Sequence, residues 1–271
     1  MEGRTLGKFD GILICSDIDG TILQNSQFDG IFEKNAAAVK YFTDNGGRFT
    51  FITGRYKFFL SEMPLYPLIN APAGIFNGAA VYDCETDTVL YARHIEHTCD
   101  ELADAVNDFR SHFVRSIYPT DTEENEVTSV FGDLPEQLYG KKPLKCAHVF
   151  DSEQIALEFK KMLLNDSRFD DCCITRSWNI AVELTSALAT KGHAARYIKE
   201  LTGSHTLVTI GDYENDIPML EMADIGAAVG SAPDNVKAAA DIIVKPYCDG
   251  AVFDLIERLD RKTNKSGVYT I

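Results

Sequence analysis

Positive charge is scarce in this sequence: 26 Lys and Arg stand against 41 Asp and Glu, which gives a formal net charge of −15. Nucleic acids and anionic membranes bind basic surfaces, so this balance argues against both as main partners. It does not argue against a phosphorylated ligand, because a local pocket of Arg, Lys and a metal ion can be positive on an acidic protein. The ligand class therefore has to come from local motifs.

Long apolar runs and cysteines at metal-binding spacing are also absent. No stretch approaches the roughly 18 apolar residues of a membrane span, and the N-terminus has no basic region followed by an apolar segment. The seven cysteines are an odd number without metal-type spacing, which favours reduced thiols over a disulfide framework. Cys15 lies in an apolar run and is interpreted as a packing residue. We expect a soluble cytoplasmic protein that is a monomer or a small homo-oligomer.

The chain has 271 residues and an ordinary globular composition, 45% apolar and 25% charged. Strand-like and helix-like segments alternate near the start and again from residue 191, which is typical of a parallel sheet covered by helices. Residues 75–82 and 89–92 are predicted to form a hairpin. The middle of the chain has a different pattern, with a strand pair predicted at residues 172–178 and 180–184, and indicates an inserted α+β module.

Two aspartates end the first predicted strand. The apolar residues 12–15 lead to Asp17 and Asp19, and Gly20 and Thr21 follow. A spacing of two puts both carboxylates on one side of a strand, which a core does not accommodate without a counter-charge. One interpretation is a simple turn, because Asp, Gly and Thr all favour turns. The other is a strand that ends at the rim of a sheet, where a loop aims both aspartates into a crevice that also holds a cation.

Several motifs, taken in chain order, resemble those of the haloacid dehalogenase superfamily of phosphohydrolases. The superfamily's first pattern, Asp-x-Asp-x-Thr, is matched by Asp17-Ile18-Asp19-Gly20-Thr21. Three further motifs follow in order: Thr53-Gly54-Arg55, Lys191-Gly192 and Gly211-Asp212-Tyr213-Glu214-Asn215-Asp216. Two segments resemble the Cof-type or IIB branch: Phe76-Asn77-Gly78-Ala79 and Val229-Gly230-Ser231-Ala232. The resemblance implies an α/β fold, a doubly wound (Rossmann-like) parallel-sheet core formed by residues 1–84 and 187–271, with an inserted α+β cap at residues 85–186.

The resemblance also implies the catalytic roles. Asp17 attacks the phosphorus and becomes an aspartyl-phosphate, and Asp19 protonates the leaving oxygen and then deprotonates the attacking water. Lys191 supplies a positive charge to Asp17 and to the phosphate. Elementary chemistry agrees, because a carboxylate held by a metal ion stays ionised while a neighbour away from the metal can carry a proton.

Magnesium is the expected cofactor, because it prefers oxygen ligands and keeps several waters. We expect Asp17, Asp212 and the backbone carbonyl of Asp19 to bind it directly. Asp216 and Asn215 are expected to support these ligands through water or hydrogen bonds. For Asp216 the alternative is an acidic residue favoured by a helix N-terminus.

Phosphate contacts are expected from Thr53 through its hydroxyl and backbone N–H, from Gly54, which leaves room, from Lys191, and from Asn77. Arg55 is either a further ligand or a surface arginine at the start of a helix. The cap is expected to select the substrate, and Trp178 is either part of that surface or a packing residue. The candidate cap residues are Trp178, Asn179 and Glu183.

Together these patterns predict a magnesium-dependent phosphatase of small phosphorylated metabolites, with sugar phosphates as the expected substrates. A phosphomutase is the alternative among enzymes, since it uses the same aspartyl-phosphate. A regulator that binds a phosphometabolite without turnover is the alternative outside enzymes, although it has no need of a general acid at Asp19. A dehalogenase is disfavoured because that reaction has no use for Asp19.

Overall fold

The core of the protein is a five-stranded parallel sheet. The computed structural model describes residues 7–24, 29–61, 64, 66–122, 129–130 and 133–266. Its strands are short and apolar, as expected where both faces of a sheet are covered. In spatial order they are β13 (Ile242–Ile243), β12 (Ile225–Ala228), β11 (Thr206–Gly211), β1 (Ile12–Ser16) and β2 (Arg48–Phe51). The predicted alternation of strands and helices around a parallel sheet is confirmed.

Helices cover both faces of this sheet. They are α1 (Gly30–Asp44), α2 (Lys57–Ser61), α5 (Lys191–Thr202), α6 (Ile217–Met222), α7 (Asp234–Ala238) and α8 (Ala251–Ser266). Alternate residues of β1 face opposite layers: Ile12 and Ile14 pack with α1 and α8, whereas Leu13 and Cys15 pack with α5 and α6. Cys15 is fully buried and its burial raises the pKa of the thiol, in line with a packing role.

A small antiparallel sheet follows the core's second strand. It consists of β3 (Ala73–Ile75), β4 (Ala80–Asp83) and β5 (Thr88–Ala92). The predicted hairpin is confirmed as the antiparallel pair β4–β5, but its first strand is not continuous over residues 75–82. The backbone turns at Phe76, Asn77 and Gly78, whose φ angles are 52°, 59° and 91°, because Asn and Gly tolerate left-handed geometry. The turn brings the Asn77 N–H to the Thr53 carbonyl at 2.8 Å.

The middle of the chain forms a second, five-stranded sheet with helices on one face. Its strands, in spatial order, are β7 (Ser129–Val130), β6 (Phe113–Ile117), β8 (Cys146–Phe150), β10 (Ala181–Ser186) and β9 (Cys172–Trp178), and its helices are α3 (Cys99–Ala105) and α4 (Glu153–Leu164). They enclose a separate apolar cluster. The doubly wound core with an inserted α+β cap is therefore confirmed, as is the predicted strand pair β9–β10. The exact domain limits, residues 84/85 and 186/187, stay a prediction.

Two expectations about the chain as a whole can be compared with the structure. Among the helices of the described ranges, none is both long and apolar enough to cross a membrane. Each of the seven cysteines, all of which lie in described ranges, is a free thiol.

Candidate active site

The candidate site lies at the carboxyl ends of two neighbouring strands. β1 and β11 are parallel partners in which Ser16 stands opposite Ile210, so the residues that follow them, Asp17 and Asp212, emerge at the same edge of the sheet. The N–H of Asp17 still donates to the Ile210 carbonyl at 2.9 Å. Ligands of open α/β sheets bind at this edge. The sequence therefore puts an aspartate at each of two adjacent strand ends.

A buried lysine joins two of the acidic residues. Lys191 is fully buried, and its Nζ donates to Asp17 Oδ1 at 2.5 Å and to Asp216 Oδ1 at 2.6 Å. It begins helix α5, and the next residue, Gly192, allows close approach to α6: a Cβ there would lie 2.3 Å from the Pro218 carbonyl oxygen. The weak Lys-Gly signal in the sequence thus marks a tight helix contact that seats the ammonium group.

Asp216 and Asp212 occupy the loop after β11. Asp216 Oδ2 accepts from the backbone N–H groups of Asp212 at 2.9 Å and Tyr213 at 3.0 Å, while its Oδ1 accepts from Lys191. Thr21 donates its hydroxyl to Asp212 Oδ1 at 3.1 Å. Both oxygens of Asp216 therefore have protein partners, whereas Asp212 Oδ2 faces Gly20. The arrangement is compatible with the supporting role expected for Asp216.

Gly20 is required by this approach. Its φ is +82°, and a Cβ at this position would lie 2.2 Å from Asp212 Oδ2. Positive φ is a conformation that side chains other than Gly rarely adopt. Both features explain why a glycine follows Asp19.

The acidic cluster carries more negative charge than one lysine offsets. Asp17, Asp212 and Asp216 each offer an oxygen within 4.8 Å of the others. Burial, and then the Asp216 charge, raises the pKa of Asp17 well above its ordinary value and that of Asp212 to about 7. Burial acts to lower the pKa of Lys191, but the charges of Asp17 and Asp216 raise it. The donor set consists of oxygen atoms alone, which is the set that Mg²⁺ prefers.

Asp19 differs from Asp17 in being exposed. It forms a bidentate ion pair with Arg55, whose Nε lies 2.7 Å from Oδ2 and whose Nη2 lies 2.5 Å from Oδ1. The guanidinium also stacks on the Phe59 ring, 3.5 Å from its centroid. Arg55 thus lines the pocket beside the aspartate loop. Its role as a phosphate ligand stays a prediction.

The residues expected at the phosphate lie next to this pair, with one correction. The Thr53 N–H donates to the Gly74 carbonyl at 2.9 Å, so the expectation that it would serve the phosphate was wrong: the bridge to β3 uses it. The Thr53 hydroxyl accepts from the Arg55 N–H at 3.2 Å and keeps its own proton for donation. A Cβ on Gly54 would meet Asn77 Oδ1 at 2.9 Å, so the small residue does leave room.

Asn77 connects the core to the cap. Its Oδ1 accepts from Asn215 Nδ2 at 3.1 Å, and its Nδ2 donates to Glu183 on β10. Glu183 also pairs with Lys145 at 2.7 Å, and Lys145 donates to the Gly54 carbonyl at 2.9 Å. Glu183, a candidate for substrate selection, is therefore already paired within a buried network that ties cap to core.

The other two cap candidates are more open. Trp178 is 47% exposed, so its ring is not a core packing residue. Asn179 Oδ1 accepts from the Tyr213 hydroxyl at 2.7 Å, which is a second contact between cap and core. Both residues line a cavity of about 910 Å³ that also contains Asp17, Asp19 and Asp212.

Two cations in this cavity were missed by the motif reasoning, namely Lys145 and Arg115. Neither belongs to a recognisable motif. The available signal was one Lys or Arg in each of two short, mainly apolar segments, residues 145–150 and 113–117. Such a residue becomes informative only once the face of the sheet is known.

The chain is similar to known proteins over most of its length. A family model described as haloacid dehalogenase-like hydrolase matches residues 14–256. The chain is similar to 5-amino-6-(5-phospho-D-ribitylamino)uracil phosphatase YcsE of Bacillus subtilis, with 26% identity over 89% of this chain and 92% of the relative. It is also similar to pyridoxal phosphate phosphatase YbhA of Escherichia coli, with 25% identity over 86% of this chain and 92% of the relative.

Solved structures show the same fold. One described as a sugar phosphatase of subclass IIB of the haloacid dehalogenase superfamily has a TM-score of 0.74 and 22% identity, and the match covers 92% of this chain and 98% of the other. A haloacid dehalogenase-like hydrolase from B. subtilis also has a TM-score of 0.74, with 18% identity, and the match covers 91% of this chain and 99% of the other.

Proposed function

The chain belongs to the haloacid dehalogenase-like hydrolases, in their Cof-type or IIB branch, and is a phosphatase; from this premise we propose a magnesium-dependent phosphomonoester hydrolase of small phosphorylated metabolites. The observation that carries the proposal is the placement of Asp17. This buried carboxylate lies 2.5 Å from the Lys191 ammonium and lines a cavity of about 910 Å³, which is large enough for a small metabolite.

Asp17 acts as the nucleophile. One of its oxygens forms a bond to phosphorus while the bond from phosphorus to the leaving oxygen breaks, which yields an aspartyl-phosphate. Lys191 reduces the repulsion between the carboxylate and the anionic phosphate. Water then attacks the phosphorus, the bond to Asp17 breaks, and inorganic phosphate leaves.

Asp19 transfers the proton in both halves of the reaction. It gives a proton to the leaving oxygen and later takes one from the attacking water. A carboxyl group in a bidentate pair with a guanidinium accepts hydrogen bonds on both oxygens and does not donate. Asp19 must therefore part from Arg55 before it acts, and the substrate phosphate offers Arg55 a replacement anion. This exchange of partners would couple substrate binding to protonation of Asp19.

The acidic cluster suits a magnesium ion. The donors are oxygens, and a divalent cation offsets the mutual repulsion of three carboxylates, of which Asp17 and Asp216 are buried and Asp212 is half-buried. Asp17, Asp212 and the Asp19 carbonyl would hold it, with Asp216 and Asn215 in support. When bound, the ion supplies charge that neutralises the phosphate and the nucleophile.

The remaining phosphate contacts come from groups that retain hydrogen-bonding capacity. The Thr53 hydroxyl and the Lys191 ammonium can both donate to phosphate oxygens, and Gly54 leaves space for them. Asn77 donates one of its two amide hydrogens to Glu183, so the second is available.

A cavity of about 910 Å³ limits the substrate to a small metabolite. We propose small phosphorylated metabolites that contain a sugar or sugar-alcohol phosphate. Relatives with this family's sequence are named for a phosphorylated ribitylaminouracil and for pyridoxal phosphate, and a structural neighbour is described as a sugar phosphatase. A panel of esters should therefore include both simple sugar phosphates and larger phosphates.

The test is phosphate release from such a panel, with and without Mg²⁺. We expect release that EDTA abolishes and Mg²⁺ restores, and a loss of at least about a hundredfold in Asp17→Asn. Asp44→Asn is the matched control, because Asp44 lies exposed on α1 and pairs with Lys40. In Asp19→Asn, rapid mixing and mass spectrometry should detect a phosphoryl adduct on the enzyme.

Three outcomes would overturn the proposal. Full activity of Asp17→Asn would remove the nucleophile. Isomerised sugar phosphate without free phosphate would identify a phosphomutase. Tight binding of a phosphoester by folded wild-type protein, with no product of either kind, would identify a regulator.

A further inference from the structure

The cap sheet has one face toward its helices and the other toward the cavity. On β8 and β10, Cys146, Phe150, Val182 and Leu184 belong to the apolar cluster beneath α3 and α4. Because side chains alternate along a strand, the intervening residues point the other way. The intervening residues that line the cavity are Ala147, Val149, Ala181 and Glu183.

Strand register places four cavity-lining residues in one row across this face. Arg115 on β6 stands opposite Val149 on β8, Val149 stands opposite Ala181 on β10, and Ala181 stands opposite Trp178 on β9. Neighbouring strands are about 4.8 Å apart, so the row spans roughly 14 Å from Arg115 to Trp178. It has a cation at one end, an aromatic ring at the other and small apolar side chains between them.

Arg115 differs from the other cations of the cavity. Lys145 pairs with Glu183, and Arg55 pairs with Asp19. Arg115 is half-buried, and its guanidinium makes no hydrogen bond or ion pair with any residue in the ranges that the structure describes. In a protein with a net charge of −15, a half-buried guanidinium without an acidic partner points to an acceptor on the ligand.

Between Arg115 and Trp178 the cap sheet presents a flat apolar surface to the cavity, which is called the floor below. Ala147, Val149 and Ala181 are small or short and leave the sheet surface flat, and Trp178 stands exposed at its edge. Flat apolar surface beside an exposed indole suits a planar ring. A simple sugar, which carries hydroxyl groups on all sides, would leave this floor unused.

We propose that Arg115 and Trp178 determine specificity for phosphate esters whose leaving group ends in a planar ring with oxygen acceptors on its far edge. This inference rests on the proposed function and refines it. The phosphate lies at Asp17, the connecting chain crosses the cavity, and the ring lies on the Ala147, Val149 and Ala181 floor. The planar guanidinium of Arg115 donates two parallel hydrogen bonds, one to a carbonyl oxygen of the ring and one to the acceptor atom beside it.

The test compares two esters that share one phosphorylated chain. Riboflavin 5′-phosphate carries a planar ring with two carbonyl oxygens, and ribitol 5-phosphate is the same chain without the ring. We expect wild-type protein to favour the ring-bearing ester in kcat/KM by about tenfold or more. Arg115→Ala and Trp178→Ala should each lower this ratio severalfold, and Arg115→Lys, which keeps the charge but loses the fork, should fall between Arg115→Ala and wild type.

Arg168→Ala is the matched control, because Arg168 lies exposed on the cap, pairs with Asp166 and does not line the cavity. It should keep the wild-type ratio. A ratio near one in wild-type protein, or an equal loss for both esters in Arg115→Ala, would overturn the inference.

Binding to the Asp17→Asn protein separates this inference from the proposed function. Riboflavin 5′-phosphate is titrated into that variant and followed by flavin fluorescence anisotropy, which requires no turnover. Adding Arg115→Ala should weaken binding by about tenfold. If no ester is hydrolysed yet Arg115 governs binding, the proposed function fails and the recognition stands. If the esters are hydrolysed but Arg115→Ala leaves the binding affinity unchanged, the proposed role of Arg115 fails while the proposed function stands.

Discussion

Replacing Lys145 with Met tests whether a buried ion pair of the cap, which is hydrogen-bonded to Gly54 and Asn77 of the core, stabilises the protein. The side chains of Lys145 and Glu183 are each 8% exposed and meet at 2.7 Å. Burial acts to raise the pKa of Glu183, but the Lys145 charge and the hydrogen bonds with Lys145, Asn77 and Ser177 together outweigh it, so the pKa lies below its ordinary value. Without the lysine, Glu183 would be a buried charge with Asn77 as its main remaining partner. Breaking a buried pair in this way is strongly destabilising.

The loss of unfolding free energy in Lys145→Met depends on pH, because Glu183 can become neutral by taking up a proton. At pH 7, protonating a carboxyl with an ordinary pKa of 4.5 costs about 3 kcal/mol, and at pH 5 the same step costs about 1 kcal/mol. Loss of the hydrogen bond to the Gly54 carbonyl adds about 1 kcal/mol at either pH. We therefore expect Lys145→Met to lose about 4 kcal/mol of unfolding free energy at pH 7 and about 2 kcal/mol at pH 5.

Urea unfolding followed by tryptophan fluorescence is the assay, because the only tryptophan, Trp178, lies in the cap. The control is the double variant Lys145→Met with Glu183→Gln, which has no carboxylate to protonate. It should be less destabilised at pH 7 than the single variant and should lose the same free energy at both pH values. A loss below about 1 kcal/mol at pH 7, or an equal loss at both pH values in the single variant, would refute the reasoning.

Three further predictions concern the cap core and the aspartate cluster. Burial lowers the pKa of His148 from 6.5 to about 3, so the stability that the neutral imidazole contributes is present above pH 6.5 and is lost as the pH falls. Between pH 7 and 4.5 the free energy of unfolding should therefore drop by about 2 to 3 kcal/mol more in wild type than in His148→Asn. An equal drop in the two proteins, measured by urea unfolding, would refute this. Gly20→Ala should raise the Mg²⁺ concentration for half-maximal activity at least about tenfold because its Cβ meets Asp212, whereas Gly203→Ala, with a φ of +63° but open space, should not. Asp216→Asn should lower kcat by about tenfold or more because it removes a negative charge beside the buried lysine, and an unchanged kcat would exclude this role.

Much of the fold could be predicted from local patterns. The alternation of apolar strands and amphipathic helices indicated a parallel sheet, and the strand pair β9–β10 was predicted with nearly its observed limits. The break at Phe76 was missed because an apolar run of the right length is typical of one strand. The left-handed turn depends on Asn77 and Gly78, whose tolerance is a local signal, but its use there depends on the pairing of β3 with β4.

The sequence by itself determined which chemistry is available: paired aspartates after a β-strand, a second acidic loop and a lysine at a helix start, in a recognisable order. These are short-range features, since strand ends and helix starts are set by neighbouring residues. Tertiary structure alone decided the partners. It brings Lys191 to Asp17 across 174 residues, directs the Thr53 N–H to the Gly74 carbonyl, and pairs Asp19 with Arg55. It also selects the face of the cap sheet that carries Arg115, because that choice depends on which side of the sheet the cap helices cover.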